Sequence, residues 1–291
     1  MSPRHHGRVW RYLRLARPHF LVGGALLFAV GARSAAAVDA ARYLLGQGMV
    51  TAIQLTAQLA NEYGDAEADT AVTNRTLFSG GSGVIPSGVV ARRAALVGAR
   101  ITTTVALAAM ALMTAISPRT AVLGAIALAV AWTYSTPPVR LLGTGWGELV
   151  TSVVVAGLVP LTGAWSQGAS PAASAWWTIS ALIPLHLAMV LCFELPDLES
   201  DALAAKRVLA VRIGRGATHR LISAATVTGA VLLAAGGLVA GDPLARLGVV
   251  AAGVLPAAAV AVGSRRRHWG LTTFGAVGAF VVIVAGLLTG R

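Results

Sequence analysis

The 291-residue sequence is poor in several things at once. It has one cysteine, Cys192, so no disulfide framework can form; that thiol lies inside an apolar run, where an inert buried side chain is expected. Its six histidines show no metal-ligand spacing, and His186, within an apolar run, reads as a packed core residue. Charged residues make up only 12% of the chain, far fewer than in an ordinary soluble domain. Acids are scarcer than bases, with 11 Asp and Glu against 23 Lys and Arg and a net charge of +12. That excess is not a nucleic-acid-binding module, because most of the bases fall between hydrophobic runs rather than in a stacking or groove-reading cluster. Lysine occurs once, as Lys206.

Apolar residues are what the chain has in quantity. They make up 56% of it, the mean hydropathy is +0.73, and they come in runs of about 20, the length of a membrane-crossing helix. The pattern predicts an all-α, polytopic membrane protein, residues 1–291 forming a single integral-membrane domain behind a basic segment, 1–17. Nine spans are expected: 18–38, 43–62, 98–116, 119–134, 147–166, 175–195, 217–240, 243–263 and 270–289. Arg4, Arg8, Arg11, Arg14 and Arg17 put the N-terminus in the cytoplasm. Span parity then places the basic loops around Arg92–Arg93, Lys206–Arg220 and Arg265–Arg267 on the same side. The N-terminal stretch has the layout of a signal peptide, but only further spans follow it, so it is expected to be retained.

Eight of the 11 acids fall into two copies of E-x-x-D-x-E-x-D: Glu62, Asp65, Glu67 and Asp69, then Glu194, Asp197, Glu199 and Asp201, each 132 residues further on. The offset equals four spans and suggests two four-helix pseudo-repeats plus one helix. On a helix, Asn61, Asp65 and Asp69 share one face, as do Asp197 and Asp201, with Glu67 pointing away. One reading is solvated loop ends. Against it, acids at a helix C-terminus oppose the macrodipole by about 0.3–1 kcal/mol each, and a charge drawn into the bilayer costs roughly 2.5–3.5 kcal/mol. Paired carboxylates at the membrane edge instead suit magnesium, which is held by carboxylates together with phosphate oxygens.

Two neighbouring segments suit a diphosphate. NRTLFSGGSGVIPSG (74–88) is rich in glycine and serine and begins near Arg75; its N–H groups can cradle phosphate, although such a loop can equally be a flexible connector. KRVLAVRIGR brings Lys206, Arg207 and Arg212 behind the second cluster. A third segment, YSTPPVRL (134–141), must leave the helix at Pro137–Pro138 and presents Tyr134 and Arg140 at the same face.

Together these segments resemble the UbiA superfamily of membrane prenyltransferases. Its first motif, N-D/E-x-x-D-x-x-x-D, is matched by Asn61, Glu62, Asp65 and Asp69; its second, D-x-x-x-D with a K-x-T-L-x-V-R-L-G-like tail, by Asp197, Asp201, Lys206 and VLAVRIG; its Y-S-x-P-P-x-R-L-K segment by Tyr134 to Leu141. Leu142 and Val208 depart from the usual Lys and Thr. The resemblance implies a nine-helix bundle whose active site opens to the cytoplasm, and magnesium-dependent transfer of an isoprenyl group from an allylic diphosphate to an aromatic acceptor. It implies magnesium on Asn61, Asp65, Asp69, Asp197 and Asp201. Diphosphate contacts would come from Asn61, Arg75, Arg140, Lys206 and Arg207, and cation stabilisation from Tyr134. Arg17, beside Pro18, is a candidate partner for an acceptor carboxylate. RPHFLVGG and FSGGSGV look most like the menaquinone-branch members, which use 1,4-dihydroxy-2-naphthoate; 4-hydroxybenzoate, another phenol, or cyclisation without an acceptor are the alternatives. A transporter, the rival class, would hold its acids near the bilayer midplane, whereas these lie at span ends.

Overall fold

The computed structural model describes residues 7–204, 206–240 and 266–289. The described residues are helical, without a strand, as expected where lipid leaves every backbone polar group to be satisfied within its own segment. Helix α1 (Arg8–Ala16) ends at Arg17, whose left-handed backbone (φ 45°) passes into a 3-10 turn at Pro18–Phe20 and then α2 (Leu21–Ala32). The bend between the two halves is 43°. Span one is thus shorter than the expected 18–38. The helix ends at Ala32, and the chain must turn because the Asp39 carboxylate accepts the Arg42 N–H at 2.9 Å, capping the next helix, α3 (Ala40–Gly64).

Helices α4 (Arg92–Ile116) and α5 (Pro118–Thr133) follow, with Pro118 in the first turn of α5, where its missing N–H is harmless. The fifth span is α6 (Gly147–Val153) and α7 (Val159–Ser166), joined by a π turn at Val154–Leu158 just ahead of Pro160. Then come α8 (Ala173–Glu194), the short α9 (Leu198–Leu203), α10 (Leu209–Ala240, broken at Gly214) and α11 (Trp269–Thr289). Eight of the nine expected spans therefore have helices at their positions; the other, 243–263, lies outside the described residues. By length and apolarity alone, five described helices can cross a membrane, six if the bent pair counts as one span. Helix α3 is not among them despite its 25 residues, since Gln47, Thr51, Gln54, Gln58 and Asn61 interrupt its apolar surface.

The core brings α2, α3, α7, α8 and α11 together around Leu27, Phe28, Val50, Val159, Leu182 and Phe280. Helices α2 and α7 touch backbone to backbone: a Cβ on Gly31 would lie 1.7 Å from the Pro160 carbonyl oxygen. Small residues at such contacts are how helices pack when lipid removes the hydrophobic drive between them. This packing opens α3 and α8 toward a shared interior, and both acidic stretches emerge from their C-terminal ends.

Candidate active site

The first acidic stretch does not continue α3. The helix ends at Gly64 with Asp65 at its C-cap, and Asp69 lies in a 3-10 turn, Ala68–Ala71. The expected single helical face is therefore replaced by a tightened turn. It keeps the i, i+4 relation through backbone bonds, from Asp65 N–H to the Asn61 carbonyl (2.8 Å) and from Asp69 N–H to the Asp65 carbonyl (2.9 Å). The second stretch breaks likewise after Glu194: Asp197 sits at the N-cap of α9, and the Asp201 N–H donates to its carbonyl at 2.7 Å. Leaving the helix lets each chain fold its carboxylates back over the bundle. Asp65, Asp69, Asp197 and Asp201 are all less than a tenth exposed. Glu67 and Glu199 turn outward to surface pairs with Arg92 (3.1 Å) and with Arg215 and Arg267 (3.4 and 3.5 Å).

Lys206 joins the two stretches. Its Nζ lies 3.1 Å from Asp65 Oδ2 and 3.6 Å from Asp201 Oδ1. Arg140 reaches Asp65 Oδ1 at 3.7 Å, within ion-pair range but beyond a hydrogen bond. Asn61 donates to Asp65 Oδ2 (2.9 Å) and Ser135 Oγ (2.7 Å), orienting the first aspartate. Two other expected phosphate ligands are placed differently. Arg75 donates to the carbonyls of Gly80 (2.6 Å) and Asp69 (2.9 Å), so it folds the glycine loop rather than reaching into the chamber. The Arg207 side chain is exposed and does not line the site.

The glycine loop lies across both motifs. Glu62, 2% exposed, accepts from Ser82 N–H (2.6 Å) and Ser82 Oγ (2.5 Å), and Gly80 and Gly81 line the chamber together with Asp197. At Gly81 (φ 68°) a Cβ would lie 1.9 Å from Asp69 Oδ2, so only glycine lets the loop lie against that carboxylate. Glu62 thus acts on the loop, a role its place in the motif did not reveal. Glu148 was not singled out by the sequence at all. It accepts the Leu209 N–H at 3.0 Å while Glu194 accepts the Ala210 N–H at 3.1 Å, fastening the first turn of α10 behind Lys206. Its signal was there to read: an acid at the start of an otherwise apolar span.

The four aspartates, Lys206 and the loop surround a polar chamber of about 170 Å³, which meets an apolar cavity of about 480 Å³ running between the helices. Arg17, Asn61, Phe78, Tyr134, Val190 and Phe193 line both. At this junction Phe78 stacks on Phe193 (centroids 5.6 Å apart, 11° between planes). The Arg17 guanidinium sits 4.4 Å over the Phe20 ring and 4.0 Å from Glu62. Leu142 and Val208, the two departures from the family pattern, are buried at the chamber wall.

Among the described residues, no group of three or more His, Cys, Asp or Glu side chains could hold a metal by itself. The expected ligands share one chamber without forming a ready-made coordination shell, because Lys206 stands between Asp65 and Asp201. Asp65 Oδ1 and Asp197 Oδ1 are nonetheless buried with no hydrogen-bond partner, an unfavourable state for a carboxylate oxygen that a hard cation would relieve. Burial pushes Asp69 up to about 6 against the attraction of Lys206. Burial and then repulsion from Asp201 push Asp197 up to about 7. Burial alone would lower the Lys206 ammonium, but Asp65, Asp201 and Asp69 together hold it above its ordinary value.

A metal must displace any proton on these acids, so magnesium affinity is expected to rise with pH. The rise should follow the loss of protons from Asp69 at about 6 and Asp197 at about 7, and level off above that range. Calorimetric titration with magnesium alone across that range checks this; a flat profile throughout would mean that the carboxylates are already ionised.

The family model described as "UbiA prenyltransferase family" matches residues 20–273. No curated relative matches the chain. Among solved structures, a UbiA homolog from Archaeoglobus fulgidus, described as bound to DMAPP and Mg2+, superposes with a TM-score of 0.70 at 17% identity, covering 94% of this chain and 99% of that one. The apo form of a UbiA homolog from Aeropyrum pernix K1 gives 0.72 at 17% identity, covering 92% and 96%. A structure described as concerning digeranylgeranylglyceryl phosphate synthase gives 0.68 at 13% identity, covering 97% and 99%.

Proposed function

The chain belongs to the UbiA prenyltransferase family, and from that premise we propose that it transfers an isoprenyl group from an allylic prenyl diphosphate to an aromatic acceptor with the help of magnesium. The observation that carries the reading is the convergence of both aspartate motifs and Lys206 on a polar chamber at the mouth of an apolar cavity. The polar end suits a diphosphate and its metal, and the apolar end a terpenoid tail with an aromatic acceptor beside it.

Asp65, Asp69, Asp197 and Asp201 would hold the magnesium, which when bound neutralises the diphosphate and makes it a better leaving group. The chain's own part follows from its charges and its dry interior. Lys206 and Arg140 add fixed positive charge where the leaving diphosphate gathers negative charge. Asn61 and Ser135 hold Asp65 in register. The glycine loop, tied to Glu62 through Ser82, covers the chamber and excludes water that would otherwise quench an allylic cation. The faces of Tyr134, Phe78 and Phe193 at the junction favour a developing cation. The acceptor ring attacks C1 of the prenyl group as the C–O bond to diphosphate breaks, then loses a proton, or a carboxyl group as carbon dioxide.

The acceptor we propose is a quinone precursor, 1,4-dihydroxy-2-naphthoate. RPHFLVGG and FSGGSGV support it, as does the half-buried position of Arg17 at the junction, where a guanidinium can meet an acceptor carboxylate. The basic loops support a chamber that opens to the cytoplasm. The test is diphosphate release from dimethylallyl, geranyl and longer prenyl diphosphates by the purified chain in detergent, with and without magnesium, followed by product mass spectrometry with a panel of aromatic acceptors. Magnesium-dependent release is expected; none at any chain length would remove the reading.

A further inference from the structure

Among the polar side chains that line the apolar cavity and that the reaction above does not use are Gln54 on α3 and His186 on α8. Their positions are related. Gln54 lies eleven residues before Asp65 and His186 eleven before Asp197, the same 132-residue offset that relates the acidic motifs. Each sits about two helical turns deeper than the polar chamber. Gln54 is seven residues, about 10 Å of helix, below Asn61, and His186 is eight residues, about 12 Å, below Glu194.

Both offer a lone pair. Gln54 Oε1 is buried without a hydrogen-bond partner, and the amide head lies against Gly24, where a Cβ would come within 2.3 Å of it; α2 leaves room for that head. Gln58, one turn above, differs: its amide donates to the Ala16 and Arg17 carbonyls and is engaged within the fold. The His186 tautomer follows from its neighbours. Ser152 Oγ donates its only proton to the Glu148 carbonyl at 2.7 Å. The 3.1 Å contact between Ser152 Oγ and His186 Nδ1 must then be donated by the imidazole, which leaves Nε2 unprotonated. The ring is steadied edge-on against Phe280, 5.5 Å between centroids. The Gln54 amide oxygen, buried in an apolar cavity without a partner, is in an unfavourable state that a ligand hydroxyl would relieve.

We propose that Gln54 and His186 form a hydroxyl-binding station that anchors the far edge of a phenolic acceptor, setting which ring substituents the enzyme accepts. Two acceptors in an apolar cavity match an O–H donor. Their depth below the chamber is roughly that of one reacting carbon and an aromatic ring laid in line. The assignment rests on the prenyl-transfer reading, since it takes the acceptor to lie between the diphosphate and the station.

The experiment uses the full chain in detergent with magnesium. Binding of 1-naphthol and of 1-methoxynaphthalene is measured by calorimetry, corrected for partition into empty micelles. The wild type is expected to favour the hydroxyl compound about tenfold, as one or two hydrogen bonds allow. Gln54→Leu and His186→Phe should each bring that ratio to within about threefold of unity, while His186→Gln, which keeps an acceptor at that depth, should preserve it. A ratio near one in the wild type, a ratio unmoved in Leu and Phe variants, or its loss in His186→Gln would overturn the station. Magnesium-dependent diphosphate release by the same preparations separates the two ideas. Intact release with an unmoved ratio removes the station alone, and no release from the wild type removes the transferase reading and the station with it.

Discussion

Replacing Asp197 by alanine is expected to lower kcat at least a hundredfold while the protein still inserts and folds. A hundredfold is about 2.7 kcal/mol of transition-state stabilisation, a magnitude expected when a preorganised charge partner is removed from a water-poor site. Asp197 is a sharp choice because it contributes little to the resting fold: its Oδ1 is buried without a partner, and burial pushes its carboxyl up to about 7. Removing a buried acid with an unpartnered oxygen should not destabilise the bundle, so lost activity will not reflect lost protein. Asp197→Asn should be nearly as slow, since an amide keeps the shape but not the charge that a hard cation needs. Single-turnover diphosphate release, with size-exclusion profiles matched to wild type, is the measurement. An Asp197→Asn variant within threefold of wild type would remove the metal role of this residue.

Gly81→Ala is expected to cost about a hundredfold in kcat/KM for the diphosphate donor, because misplacing a catalytic group by about 1 Å can cost that much. The new Cβ would lie 1.9 Å from Asp69 Oδ2, on a backbone at φ 68°, so either the loop lifts or the carboxylate moves. Either outcome separates the glycine loop from the first motif. Gly88 supplies the control. Its φ is 71°, yet a Cβ there would meet nothing within 4 Å. Gly88→Ala therefore introduces the same backbone strain without the contact and is expected to stay within about threefold of wild type. If the two variants slow the enzyme equally, strain in the loop rather than contact with Asp69 is responsible.

Much of the site was legible because its residue types are improbable where they stand. Acids at the ends of apolar helices cannot be explained by solvation or by the macrodipole, and their repetition at one offset marked Asp65, Asp69, Asp197 and Asp201 as a set. Lys206, the only lysine, stands out for the same reason, and it lies between Asp65 and Asp201. The outward turn of Glu67 was also readable from helical spacing, although the segment proves to be a tightened turn and not a helix. Arginines were harder. They are common in this chain for reasons of topology, so sequence position could not distinguish Arg140, which reaches Asp65, from Arg207, which stays exposed, or from Arg75, which folds the loop.

By itself the sequence determined that the chain is a helical membrane protein with two matched acidic motifs. Both follow from local quantities: the length of apolar runs against the thickness of a bilayer, and the unfavourable energy of charge in lipid. Only the tertiary structure decided which polar groups face one another. Glu62 belongs to Ser82 across the loop, Glu148 to the first turn of α10, and Gln54 shares a cavity with His186 from another helix. Such pairings depend on how closely segments approach, and a single missing Cβ, between helices at Gly31 or in the loop at Gly81, sets that distance. Gly31 and Pro160 stand 129 residues apart, and nothing local in the sequence marks them as partners.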